Sequence, residues 1–235
     1  MWMVALKEFS MHWFLPMNFR FHPLCMRRVS SSREIGTVSS RIPTWPMAEI
    51  TVAGDTGCTG CQRRPVLTHI PDACFYQSIE INPLNGGEER HFAPLAADTV
   101  RNPFLRELIE FDFAQLTSRQ HIEVDWLIGV HQIRITATTG VQGNPTPEGI
   151  HRDDENYTAQ HLVTRHNIDG GINYFYGSGP EPTRRPQAVW KQECYFDSHY
   201  FDRSLWHSVS PIVSGNGDGH RDVILIDFVE LPKAH

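Results

Sequence analysis

The 235-residue chain has no apolar run approaching the roughly 18 residues that a membrane-spanning helix needs, which excludes such a span. It has no cluster of basic residues either. Its 21 lysines and arginines are scattered among 27 acidic residues, for a net charge of −6, so nothing points to nucleic acid or an anionic membrane as partner. Cysteine is scarce: five residues, an odd number at irregular spacing. A disulfide framework is thereby disfavoured, and reduced thiols in a cytoplasmic protein are expected. One close pair exists, Cys58-Thr59-Gly60-Cys61. A closed zinc site would need a second close pair and a thioredoxin-type motif would need a βαβ context. Neither is present, so Cys58 and Cys61 read as loop cysteines. The apolar N-terminal stretch is broken by Lys7, Glu8, His12 and Pro16, which does not fit a signal peptide. There is no internal repeat and no low-complexity segment.

What remains is enough chain for one domain, 1–235, with a sizeable core. Residues 1–46 read as an irregular extension with strand-like pieces at Phe19–Phe21 and Met26–Val29. Residues 47–72, richer in Gly and Thr, read as a loop or insertion. Residues 73–230 carry the regular elements. A strand is expected at Phe75–Ile81. Asn102 as N-cap, Pro103 at the first helical position, and Leu105, Leu108, Ile109, Phe113 and Leu116 at helical spacing predict an amphipathic helix over about 103–120. Val124–Thr138, Thr158–Thr164, Ile172–Tyr176, Gln192–Ser198, Trp206–Val213 and Val223–Val229 read as strands between Gly/Pro/Asn turns. This pattern predicts a mainly β protein, a sandwich or jelly roll with flanking helix. In Val124–Thr138, Gln132, Arg134 and Thr136 alternate with His131, Ile133 and Ile135. A polar face on a buried-looking strand is either solvent-facing or the wall of a pocket, so Gln132 and Arg134 are pocket candidates.

Two stretches carry chemistry. Pro147-Glu148-Gly149-Ile150-His151-Arg152-Asp153 offers a histidine and a carboxylate two positions apart, which an extended strand points to one side. Leu205-Trp206-His207-Ser208 offers a second histidine. Two histidines and one carboxylate on one side of a metal, with the other side open, form the ligand set of non-haem Fe(II) oxygenases. With thirteen histidines in the chain, His161, His166, His199 and His220 compete for the role. A further sign is Arg221, fourteen residues after His207 at the start of an apolar strand. An antiparallel hairpin would place it beside His207, where its guanidinium could pair with a carboxylate. His151, Asp153, His207 and Arg221 together describe a site for Fe(II), the dicarboxylate 2-oxoglutarate and O2. The same three ligands would also serve a zinc hydrolase or a metal-holding jelly roll without turnover.

The segment Phe75–Phe228 resembles the 2-oxoglutarate/Fe(II) dioxygenases of the isoleucine-dioxygenase type, which hydroxylate free amino acids. The resemblance rests on Gln77-Ser78 with Asn82-Pro83-Leu84, on His131–Ile135, on Pro145–Asp153, on Arg165-His166-Asn167 with Gly170-Gly171, on Leu205–Ile212 and on Arg221-Asp222-Val223. It implies a double-stranded β-helix (jelly roll), iron held by His151, Asp153 and His207, and 2-oxoglutarate anchored by Arg221. It further implies hydroxylation of an unactivated C–H bond of a free amino acid or small amino-acid-derived metabolite, with release of succinate and CO2. Desaturation, cyclisation or stereoinversion would use the same cofactors. The implied partner is a small molecule, and a homodimer is compatible with the resemblance. The residue after the metal aspartate is often Gly in this family; here it is Asp154, followed by Glu155. That acidity either meets a substrate ammonium group or is solvated. Glu148 and Asp154 join Gln132 and Arg134 as substrate-pocket candidates.

Overall fold

The computed structural model describes residues 4–5, 47–53, 66–70, 75–76, 78–80, 87, 89–90, 93–117 and 125–231. The pair Cys58/Cys61 and the strand-like pieces expected before residue 30 lie outside the described residues. In chain order the strands are β1 (Val4–Ala5), β2 (Met47–Ala53), β3 (Val66–Ile70), β4 (Phe75–Tyr76), β5 (Glu89–Arg90), β6 (Trp126–Ala137), β7 (Tyr157–His166), β8 (Asp169–Gly170), β9 (Ile172–Phe175), β10 (Ala188–Lys191), β11 (Ser198–Asp202), β12 (His207–Val209), β13 (Ile212–Val213) and β14 (Gly219–Glu230). Two helical segments, α1 (Ala97–Val100) and α2 (Pro103–Thr117), lie between β5 and β6.

A large antiparallel sheet runs β1-β11-β7-β14-β6-β2-β3, and smaller sheets run β10-β9-β12 and β13-β8. β14 is the spine of the large sheet, paired along its length with β6 and β7. Its residues alternate between two covered faces. Ile224, Ile226 and Phe228 join Trp126, Ile128, Val130 and Ala159 against Phe104, Leu105, Leu108 and Ile109 of α2. Burying each such side chain is worth about 1.5–3 kcal/mol. Val223 joins Ile133, Ile135 and Leu162 on the other face, packed against Ile212 of β13. Phe175 of β9 meets Phe201 of β11 with ring centroids 6.1 Å apart. The inner face of the large sheet thus closes on the small sheets, a mainly β jelly roll with a helix on its outer face.

α2 starts as the sequence predicts: the Phe104 N–H donates to Asn102 Oδ1 at 3.0 Å. A buried polar network fixes it to the sheet. Asp112 accepts the Tyr200 hydroxyl at 2.6 Å, and His161 bridges Asp112 (2.9 Å) and Ser198 (2.8 Å). His161 therefore lies on the helix side of the sheet. Its Ser–His–Asp chain is sealed, with Asp112 fully buried and Phe196 stacked on the imidazole.

Three expectations about elements are corrected. The strand expected at Phe75–Ile81 is short: β4 pairs only at Phe75–Tyr76, and the chain turns at Ile79–Glu80. Residues 47–72 are not simply a loop: β2 and β3 pair with each other and β2 pairs with β6, extending the large sheet. β2 reads Met-Ala-Glu-Ile-Thr-Val-Ala, whose β-branched residues suit a sheet although the neighbouring Gly and Thr suggest a loop. Gln192–Ser198 is not a strand. The chain turns between β10 and β11, with Asp197 Oδ2 accepting the N–H groups of Glu193 and Cys194 at 2.8 and 2.9 Å. An aspartate side chain that caps nearby amides competes with strand pairing.

Candidate metal and co-substrate site

His151 and His207 face each other across a single antiparallel bridge. His151 N–H donates to His207 O at 3.0 Å, and His207 N–H donates to His151 O at 2.8 Å. His207 belongs to β12; His151 pairs through this bridge alone, and Asp153 lies in irregular chain. The regular strand expected for His151 and Asp153 is therefore reduced to one paired residue, yet the two side chains still converge. One ligand atom from each of His151, Asp153 and His207 lies within 4.8 Å of the others. Asp153 Oδ1 is 3.5 Å from His151 Nε2 and 3.7 Å from His207 Nε2.

The rest of each ligand is tied down. His151 Nδ1 is 3.1 Å from Gly149 O, and His207 Nδ1 is 3.2 Å from Leu205 O. Each Nδ1–H donates to a main-chain carbonyl, which leaves Nε2 as the free donor to a metal. The Gly149 carbonyl is aimed by a turn with φ +85°, which a side chain would strain. Asp153 Oδ2 accepts the Thr158 hydroxyl at 3.3 Å, leaving Oδ1 toward the imidazoles. Two imidazole nitrogens and a carboxylate oxygen, each backed by an outer hydrogen bond, fit a divalent iron with open positions. The side chains are 10–16% exposed, recessed but reachable.

Their protonation follows from burial and one another. Burial pushes the His151 imidazole down, but Asp153 and Glu148 outweigh it and raise the pKa to about 9. Burial lowers His207, against the opposing pull of Asp153. Burial would raise Asp153, but His207 and His151 override it and hold the carboxyl at about 2. In the metal-free arrangement His151 carries the proton, His207 is neutral and Asp153 is ionised.

Arg221 is 2% exposed on the inner face of β14. It is not on the strand beside His207, as a hairpin would require. β12 pairs with β9 in the small sheet, and β13 with β8 intervenes before β14 enters the large sheet. Arg221 reaches the interior from the opposite wall. Its Nη2 donates to Gln192 Oε1 at 2.7 Å, while Nε has no hydrogen-bond partner among the described residues. Gln192 is itself held by Gln160 O and Asp197 O at 3.2 and 2.7 Å. Among the described residues Arg221 has no carboxylate in ion-pair reach. Burial and then Arg165 lower its pKa to about 10, still well above neutrality. A buried guanidinium without a counter-charge is expensive, and an incoming carboxylate would relieve it.

The other sequence candidates fall elsewhere. Gln132 and Arg134 pair with Ile224 and Asp222, so they occupy the sheet face opposite Arg221. Arg134 makes a bidentate pair with Asp222 at 2.7 and 2.6 Å. These two residues do not join the triad. Glu148 meets His151 at Nδ1 (3.4 Å), the ring edge away from Nε2, and so backs a candidate ligand. Asp154 Oδ2 accepts the Ser78 N–H at 3.2 Å. Glu155 is buried rather than solvated, and burial, then Asp227 and Asp153, raise its pKa. Of the competing histidines, His166 and His220 lie against each other with ring centroids 5.3 Å apart. His199 is buried between Phe175 and Trp190, and among the described residues neither ring nitrogen has a hydrogen-bond partner. Burial and then Arg221 push its pKa to about 3, so it is neutral. Gln192, which holds the Arg221 guanidinium, was not among the sequence candidates, since it lies near neither triad motif; His199 was considered only as a competing metal ligand.

A jelly roll that brings two histidines and one carboxylate together on its inner side is the architecture of non-haem metal oxygenases. The chain belongs to the 2OG-Fe dioxygenase family, whose model matches residues 57–227. It is 29% identical over 158 residues to the L-isoleucine-4-hydroxylase of Bacillus thuringiensis, covering 66% of this chain and 64% of that protein. It is 29% identical over 159 residues to the 3(1)-hydroxy-L-isoleucine 4-dioxygenase of Pantoea ananatis (strain AJ13355), covering 66% and 63%. The matches thus span a little under two thirds of these curated relatives. Among solved structures, IDO from Bacillus thuringiensis superposes with a TM-score of 0.72 at 17% identity, over 98% of this chain and 90% of that one. A bsmA homolog from Methylobium petroleophilum PM1 gives 0.65 at 22%, over 79% and 70%. These two likenesses concern the fold.

Proposed function

We propose that this chain is an Fe(II)- and 2-oxoglutarate-dependent dioxygenase that hydroxylates an unactivated C–H bond of a free amino acid or small amino-acid-derived metabolite, releasing succinate and CO2. The observation that carries the reading is the pairing of two features inside one barrel. His151, Asp153 and His207 offer three metal donors, and Arg221 offers a buried positive charge without a carboxylate partner among the described residues.

Iron, 2-oxoglutarate and dioxygen supply an oxidant strong enough for such a bond; the chain supplies placement. The two imidazoles present Nε2 because main-chain carbonyls hold Nδ1. Asp153 presents Oδ1 because Thr158 holds Oδ2. Arg221 neutralises the distal carboxylate of the co-substrate, and Gln192 keeps the guanidinium in place. Phe175, Phe201 and Leu205 pack beside His207 and keep water from that side of the metal position. Relatives named for isoleucine chemistry support the amino-acid substrate class.

The test is reconstitution with Fe(II) and 2-oxoglutarate without dioxygen, watched for the weak visible charge-transfer band of the chelate. Admission of dioxygen with a panel of amino acids should then give succinate in step with a product heavier by one oxygen. A product lighter by two hydrogens would change the outcome to desaturation or cyclisation. Folded, metal-loaded protein that gives no band would overturn the proposal.

A further inference from the structure

The pairing of β14 with β7 carries a register shift, and it sits beside Arg221. On β14, Val223 pairs with Leu162, but Asp222 pairs with Thr164 and Arg221 with Arg165. Val163 is the extra residue of a β-bulge. A bulge shifts the inside–outside alternation by one, so it re-aims every side chain beyond it. Thr158, Gln160 and Leu162 pair with the inward residues Asp227, Leu225 and Val223. Without the bulge Thr164 would come next inside. With it, Arg165 does, as the direct cross-strand neighbour of Arg221.

Two guanidinium groups side by side repel, and both are poorly compensated. Arg165 Nη2 donates to Gly170 O at 2.6 Å, but Arg165 Nη1 is buried with no hydrogen-bond partner among the described residues. Arg221 Nε is in the same condition. Both flank Gly171: a Cβ there would lie 2.9 Å from Arg165 Nη1 and 3.2 Å from Arg221 Cδ. Gly171 has φ +64°, so the backbone favours glycine here and no side chain enters the space between the arginines. Burial lowers the pKa of Arg165, with Glu193 and Asp169 opposing from a distance. Among the described residues neither guanidinium has a carboxylate in ion-pair reach, and two such forks of N–H donors side by side suit one.

We propose that Arg165 shares with Arg221 the seat for the distal carboxylate of 2-oxoglutarate, and that the bulge at Val163 is what puts it there. This rests on the reading of Arg221 as the co-substrate anchor. The seat is then a pair of cross-strand guanidiniums, and it selects keto acids that carry a second carboxylate.

The experiment is anaerobic titration of Fe(II)-loaded protein, following the visible chelate band, with 2-oxoglutarate and with 2-oxopentanoate, which lacks the distal carboxylate. Arg165→Gln removes the charge and keeps a donor for Gly170 O. It should weaken 2-oxoglutarate binding at least about tenfold and leave 2-oxopentanoate binding within about twofold of wild type. An unchanged affinity for 2-oxoglutarate, or an equal loss for both ligands, would overturn the role of Arg165. Should Arg165→Gln fail to fold, Arg165→Met, which keeps the apolar stem, is read by the same two criteria. Arg221→Ala separates the two levels. Loss of 2-oxoglutarate affinity in Arg221→Ala with none in the Arg165 variants removes only this inference. No loss in Arg221→Ala removes the anchor reading beneath it.

Discussion

His151 and His207 exchange both main-chain hydrogen bonds across one bridge, and their rings stand 4.3 Å apart. The separation of these two donors is therefore fixed by backbone pairing and not by side-chain rotamers alone. The third donor, Asp153, comes from irregular chain and is steadied by Thr158. This difference sets what each substitution should do.

Asp153→Ala should leave the bridge and the fold in place and remove the carboxylate. Metal affinity should fall by at least about 100-fold, since loss of an outer-sphere partner alone costs 10–100-fold. Coupled succinate formation should vanish. Metal content after dialysis, with thermal melting as the fold control, checks this; wild-type turnover would remove Asp153 from the site.

The metal-free protein should be pH-sensitive through His151. Its pKa of about 9 lies above the ordinary 6.5, because Asp153 and Glu148 outweigh the effect of burial. A raised pKa means stabilisation that is full below about pH 6.5 and lost as pH climbs through about 9. The Tm of chelator-treated wild type should fall over that window relative to His151→Ala. The same proton must leave when a metal ion takes Nε2, so metal affinity should rise by up to about tenfold per pH unit there. A flat affinity would put the ion elsewhere.

Arg221→Ala should weaken 2-oxoglutarate binding by about 2–5 kcal/mol, the usual loss when one partner of a desolvated charge pair is removed. The apparent affinity measured from the chelate band checks it. An unchanged value would move the anchor to another residue.

Asp112→Ala should destabilise the fold by about 3–5 kcal/mol, because the buried Tyr200 hydroxyl and His161 lose their acceptor together. Urea unfolding measures the loss. Activity per folded molecule should stay near wild type, since the network lies on the helix side of the sheet.

Arg134→Ala should cost about 1–3 kcal/mol, because it breaks a bidentate pair and leaves the buried Asp222 carboxylate without that partner. It should leave the apparent affinity for the organic substrate unchanged. A large rise in KM would return Arg134 to the pocket.

Much of this molecule was readable from local pattern. α2 was legible in its N-cap and its apolar spacing, because capping and helical periodicity act within a few residues. That His151, Asp153 and His207 converge was legible, because two histidines and a carboxylate in this pattern are a metal-ligand set, and a spacing of two still brought the first pair together where the strand shrank to a bridge. Arg221 was legible as an isolated cation opening an apolar strand. Other features were set by contacts between distant segments. Both faces of β6 are covered, by α2 on one side and the small sheets on the other, so its polar–apolar alternation could not say which face holds the pocket. Gln132 and Arg134 went to the helix side for that reason. Arg221 faces the interior from the large sheet because β13 breaks the path that a simple hairpin would take from β12. Arg165 points inward because a single extra residue, Val163, reverses strand parity. Sequence alone determined which chemical groups were available. The pairing register, settled by long-range packing of whole strands, decided which of them meet.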